Sequence, residues 1–335
     1  MKSKQIVRVA RAAMAAGLFV LGTASSHASM MLTTDGVNLG FSLSTFVSGF
    51  PNSGVGPLGI GINNAGQVIV DSGQDRRNYV FNDVDNQTLG NAISSTPFNG
   101  WPAAFATVNG TVWGSNGWQG GGALVKFNAN GSVAASFSNI LINNGMWTNP
   151  ANNHLIAAGA NGLLDIDVSG ATPSARVING AGSDGVTVSP DGKFVYTSGG
   201  LVFDIATGVQ QPGTFNVSGA DGMGILSSLD PSLNGDIIVN TTGGSVVLVD
   251  HLTFAQTVIA NGGSRGDYTS PDFTNGTLFL TQSDSVLRLS CGKNCAIGST
   301  PPPTNGVPEP GVLGLLGIGV VSLAAATRRR RTANS

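Results

Sequence analysis

The stretch from Ser183 to Gly208 reads SDGVTVSPDGKFVYTSGGLVFDIATG. Short runs that alternate apolar and polar residues are separated by Pro-Asp-Gly and by Gly-Gly. A period of two marks strands, and Pro, Asp and Gly supply the backbone angles of tight turns between antiparallel neighbours. The stretch ends on Asp204-Ile205-Ala206-Thr207-Gly208. There an Asp side chain can accept a turn N–H and Gly can take the left-handed position.

The same unit recurs along the chain as PLGIGINNAGQVIVDS, PAAFATVNGTVWGS, MWTNPANNHLIAAG, ILSSLDPSLNGDIIVN and DYTSPDFTNGTLFLTQ. Aligned on the residue that opens each second strand, the units fall at Gly66, Gly110, Asn153, Gly192, Gly235 and Gly276, at steps of 44, 43, 39, 43 and 41. A third strand follows each time, as in NYVFNDV, GLLDIDV and SVVLVDH, and commonly a fourth, as in GTFNVSG or QTVIANG. One such sheet cannot bury both its faces, so its neighbours must cover them. The expected fold is all-β: a β-propeller of six four-stranded blades, with seven left open should the N-terminal segment hide a degenerate one. The sixth unit lacks a fourth strand, and Leu43 to Ser48 is expected to supply it and close the ring. Closure removes exposed strand edges.

Charged residues make up only 10% of the chain, and Gly accounts for 49 of 335. Between the termini stand eight basic residues against seventeen acidic ones, all Asp, a balance of −9. A body that acidic argues against nucleic acid, whose phosphates need a basic face, and permits divalent cations or cationic partners. Cys291 and Cys295 stand in SCGKNC. In an exported chain they are expected to bond across a small loop, because a metal site would want more ligands.

Residues 1–28 have the order of an export signal: a basic segment, an apolar run from about Ala12 to Ala24, and small residues at Ser26 and Ala28. Cleavage by signal peptidase is expected after Ala28, leaving a propeller over 29–298 and a Pro-rich linker over 299–306. Residues 307–331 read VPEPGVLGLLGIGVVSLAAATRRRR. The uncharged 311–327 run would form a transmembrane helix about 26 Å long, marginal for a bilayer core of about 30 Å. Arg328, Arg329, Arg330 and Arg331 would stay cytoplasmic. Pro308-Glu309-Pro310, the short apolar helix and the Arg cluster, in that order, resemble the PEP-CTERM sorting signal of Gram-negative bacteria. The resemblance implies exosortase as a partner, transient residence in the inner membrane, and delivery to the cell surface or an exopolysaccharide matrix.

SPDGKFVY and VFDIATG resemble blades of NHL, YVTN and streptogramin-lyase-like propellers. These motifs identify blades, not an activity. Propellers hold ligands at the mouth of the central channel, beside the first strands. Trp101, Asn144, Trp147, Asp184, Asp221, Arg265 and Asp267 are the residues expected near it. The Asp residues would suit Ca²⁺, whose ligands are oxygens; otherwise no cofactor is expected. Gluconolactonase-type propellers need a Glu metal ligand, and the sole Glu here is Glu309, in the tail. Streptogramin lyases need a catalytic His, and the body has only His154 and His251, expected as solvated turn residues. The expected function is therefore a non-enzymatic surface or matrix propeller used for binding or scaffolding. The alternative is a secreted lyase, or a lactone or polysaccharide hydrolase, working at the mouth.

Overall fold

A computed structural model describes residues 29–298 except 53, 102–103 and 118–120. The export signal, the linker, the Pro-Glu-Pro motif and the four terminal arginines therefore lie outside the described residues. Among the described residues, no helix is long and apolar enough to cross a membrane.

The fold is all-β and propeller-like. In the first unit, Pro57–Ile62, Gln67–Ser72, Arg77–Asn82 and Ser94–Pro97 pair in that order as a four-stranded sheet. The fourth unit keeps three strands, Val186–Val188, Phe194–Thr197 and Val202–Asp204, and a single bridge from Phe203 to Gln210 stands where a fourth would begin. All six residues on which the repeat was aligned take a left-handed backbone, with φ from 59° at Asn153 to 94° at Gly235. The turn acceptors behave as expected: Asp204 Oδ1 takes the Thr207 N–H at 2.8 Å, and Asp250 Oδ1 takes those of Leu252 and Thr253.

Six separate four-stranded sheets were expected, and the hydrogen bonding departs from that. The strands form five sheets, of six, seven, three, five and four strands. The seven-stranded sheet merges the second and third units through one 16-residue strand, Val133–Thr148. Its first part pairs with Gly122–Phe127, and from Ile142 onward it pairs with Leu155–Gly159. The chain stays extended through Asn143-Asn144-Gly145, with a register irregularity between Ile142 and Met146.

The ring closes where expected. Ser42–Ser48 pairs antiparallel with Ser285–Ser290, running from Ser42 opposite Ser290 to Ser48 opposite Ser285. Phe46 fills the seam, its ring 4.9 Å from that of Phe279. Beneath them the guanidinium of Arg288 contacts both rings and bonds to Asp83, Asp85 and Asp272. Asp83 and Asp85, adjacent but one in the sequence, thus serve the closure.

At the C-terminal end of the described chain the disulfide was expected, but the course of the strand that follows was not. Cys291 and Cys295 are disulfide-bonded, and the strand after them, Cys295–Ile297, does not extend the outside of the sixth unit. It pairs with Leu226–Ser228, on the inner edge of the fifth. Gly298 then donates to the Ile225 carbonyl at 2.8 Å. A Cβ at Gly298 would come within 2.5 Å of Pro271 and 2.8 Å of the Trp147 indole, so only glycine fits. Trp147 lies in the first strand of the third unit and Pro271 in that of the sixth, so the segment fills the channel between inner strands.

Candidate functional site

Four units bring the starts of their first strands together in sequence. Gly145 donates to the Asp184 carbonyl at 2.5 Å. Gly185 lies so close to the next unit that a Cβ would sit 1.7 Å from the Asp221 carbonyl oxygen. Gly222 lies against the Asp267 carbonyl in the same way, at 2.3 Å. The Tyr268 hydroxyl reaches across to Asn144 Oδ1 at 3.4 Å. Asn144, Asp184, Asp221 and Asp267 thereby follow one another around one end of the channel. The Asp-Gly pairs that look like ordinary turn openers in the sequence are there because the glycines allow adjacent inner strands to touch.

Asp184 is exposed, whereas Asp221 and Asp267 are buried, at 8% and 4% exposure. Arg265 bonds Asp267 Oδ1 through Nη2 at 2.6 Å and stands 3.8 Å from Asp221 Oδ2. Asp221 and Asp267 thus share one guanidinium, and Asp184 adds a further negative charge felt at Asp221. Burial, then the charges of Asp267 and Asp184, push the Asp221 carboxyl up to about 8, with Arg265 opposing. The buried Tyr268 hydroxyl is likewise held well above its usual range, first by burial and then by the Asp charges. The mouth therefore favours positive charge: a cation would relieve the repulsion from Asp267 and Asp184 that adds to burial in keeping Asp221 protonated. The carboxylates and the Asn144 amide oxygen are hard oxygen donors of the type Ca²⁺ takes.

The two tryptophans are not part of this cluster. Trp147 is buried, at 1% exposure, against Pro271 and Gly298, in the part of the channel that the C-terminal segment fills. Trp101 borders a separate cleft of about 370 Å³ with Arg76, Asn99, Gly100, Asn116 and Gly117. Both are apolar and sit near first strands, so spacing alone could not separate packing from ligand contact. Tyr268 was missed; its only signal was its place immediately after Asp267.

Both histidines lie in connections between strands, His251 in a turn as expected, but each is half-buried and bound to an aspartate rather than free in solvent. His154 Nδ1 lies 2.7 Å from Asp165 Oδ1, and Arg176 bonds the other oxygen of Asp165. His251 Nδ1 lies 3.0 Å from Asp236 Oδ1. In both units the pair ties the second strand to the third. The sequence separates the partners by 11 and 15 residues, so only pairing register brings them together.

The class these features define is an all-β, propeller-like protein with an acidic channel mouth. No family model matches the chain, and no curated protein matches it. Among solved structures it is similar to a gluconolactonase from Xanthomonas campestris, at TM-score 0.54 and 13% identity over 78% of this chain and 95% of that one. It is also similar to a protein of unknown function from Bacteroides thetaiotaomicron, at TM-score 0.51 and 11% identity over 77% and 76% of the two chains. A streptogramin B lyase aligns at TM-score 0.46 and 14% identity over 76% and 98%. At these identities the likeness concerns the fold alone.

Proposed function

We propose that this is an exported binding propeller of the cell surface or extracellular matrix whose channel mouth takes a cation or a cationic ligand group, with Ca²⁺ as the metal candidate. The observation that carries the reading is the gathering of Asp221 and Asp267 at the guanidinium of Arg265, with the charge of Asp184 acting on Asp221 and Asp221 raised to about 8. The reading takes the five sheets as six blades, with the strand Val133–Thr148 serving two of them. A binding role is supported by the positions of both histidines in lateral contacts with Asp165 and Asp236 and by the restriction of Glu to position 309. The segment Cys295–Gly298, lying along inner strands, supports a mouth that works as a blind cup rather than a passage.

The address comes from the termini. Signal peptidase would cut after Ala28. Exosortase would act near Pro308-Glu309-Pro310, with the 311–327 helix and the four arginines as a transient stop in the inner membrane. Exopolysaccharide is the proposed matrix partner. Intact-mass spectrometry of protein from cells with and without the sorting enzyme tests this. Loss of the mass beyond about Pro310 only when the enzyme is present supports sorting; retention of the tail in both makes it a permanent anchor.

Calorimetric titration of the protein with CaCl₂ and with organic amines tests the mouth. A saturable heat component present in the native protein and lost in Asp221→Asn/Asp267→Asn supports the reading, and an isotherm unchanged in that variant refutes it. One observation favours the second reading, a secreted lactone hydrolase or lyase: a carboxyl titrating near 8 is suited to general acid–base work at neutral pH. Turnover of lactones that vanishes in Asp221→Asn, with folding intact, would replace the binding reading with this one.

A further inference from the structure

The first unit carries a buried polar row that the mouth does not use. Asp71, Asn78 and Thr96 are direct partners across three adjacent strands, Asp71 opposite Asn78 and Asn78 opposite Thr96. Direct partners project to the same face of a sheet. On that face the neighbouring row is Ile69 and Val80, packed with Phe98, Phe105, Val112, Val125 and Phe127 against the second unit. The Asn78 amide confirms which way the row points, since its Nδ2 donates to the Gly131 carbonyl of the second unit at 2.7 Å.

Asp71 and Asn78 are completely buried, yet Asp71 Oδ1 and Oδ2, Asn78 Oδ1 and Thr96 Oγ1 have no hydrogen-bond partner. Four orphaned oxygens in one row of an apolar interface are costly, and a bare buried carboxylate is the most costly of them. The neighbouring charge acting on Asp71 is that of Asp75, of the same sign. Asn78 spends one of its two amide hydrogens on Gly131, and its Oδ1 is left without a donor. What the row lacks is positive charge that can accept several hard oxygens at once.

We propose that this interface binds a Ca²⁺-type cation through Asp71, Asn78 and Thr96, pinning the first unit to the second. Asp71 supplies the charge, Asn78 and Thr96 supply neutral oxygens, and the aromatic cluster excludes water. This oxygen-only set suits Ca²⁺ and offers nothing to softer metals.

The test uses the full-length protein, stripped with EDTA and titrated with CaCl₂ while thermal unfolding is followed, alongside Asp71→Asn, Thr96→Val and the mouth variant Asp221→Asn. The proposal expects a saturable rise in unfolding temperature that persists in Asp221→Asn. In Asp71→Asn the Ca²⁺ response should weaken by at least about tenfold, with a smaller loss in Thr96→Val, because ligand charge and number set affinity. An unchanged response in Asp71→Asn overturns the proposal. So does a wild-type protein indifferent to Ca²⁺, which would make Asp71 a neutral acid or its surroundings a water site. Should Asp71→Asn fail to fold, Asn78→Asp decides. With a cation present the added charge tightens Ca²⁺ binding; without one it sets two buried carboxylates side by side and lowers the unfolding temperature whether or not Ca²⁺ is added.

Discussion

Replacing Arg288 by Met tests what holds the ring shut. The side chain of Arg288 is 9% exposed, and it bonds Asp272 at 2.8 Å, Asp85 at 2.8 Å and Asp83 more closely still. Its guanidinium carbon sits 4.7 Å from the Phe279 ring centroid and 5.2 Å from that of Phe46. Met keeps the volume and the contact with both rings, so the change is chiefly electrostatic. Asp83 and Asp85 are 18% and 29% exposed and can turn to water, whereas Asp272 is at 0% and cannot. Breaking a buried pair so that one charge is stranded costs about 3–5 kcal/mol. At roughly 2–4 °C per kcal/mol for a domain of this size, the unfolding temperature should fall by about 6–20 °C. Calorimetry and urea denaturation measure this directly. The double variant Arg288→Met/Asp272→Asn removes the stranded charge and should regain at least half of the loss. A single variant that loses less than about 1 kcal/mol, or a double variant no better than the single, would refute the claim that Asp272 is the group at stake.

Three further outcomes follow from the structure. Asp221 titrates near 8 in the fold but near about 4 when unfolded, so between those values the native state holds the extra proton and stability falls as pH rises, levelling off above about 8; urea midpoints at several pH values should show this slope, and Asp221→Asn should flatten it. Reducing the Cys291–Cys295 bond frees a loop of sequence separation 4. That should cost about 2 kcal/mol by the chain-entropy relation and expose the amides of Ala296 and Ile297 to hydrogen exchange, while amides of Ile237–Thr241 stay protected. Gly185→Ala drives a Cβ to 1.7 Å from the Asp221 carbonyl oxygen, so the fourth and fifth units must part; denaturation should show a loss of about 1–3 kcal/mol, together with weaker cation binding at the mouth.

Much of the fold was legible because it is built from local rules repeated. Positive φ at each of the six alignment residues, Asn153 included, is a requirement of the turn itself, and Gly or Asn announces it. The closing strand was legible because the sixth unit visibly lacked a partner and Leu43 to Ser48 resembled the fourth strands elsewhere. The number of sheets was not legible, because Asn143-Asn144-Gly145 permits a turn without enforcing one, and hydrogen bonding carries Val133–Thr148 straight through. At the site, the aspartates and Arg265 were found through their shared position before a first strand. Trp101 and Trp147 were assigned there by the same reasoning and lie elsewhere, since that position fixes where the backbone goes but not which way a large side chain turns.

By itself the sequence determined the repeat, its turns, the class of fold, the disulfide and the excess of acid. Each of these depends on residues near one another along the chain. Tertiary structure alone decided that Arg288 would gather Asp83, Asp85 and Asp272, that Tyr268 would reach Asn144, and that Cys295–Gly298 would lie along the channel wall. It also decided that Asp71, Asn78 and Thr96 would face an apolar neighbour without partners. The physical reason is that these contacts join residues of different strands or different units, and their geometry exists only after the ring has closed and fixed the register between sheets.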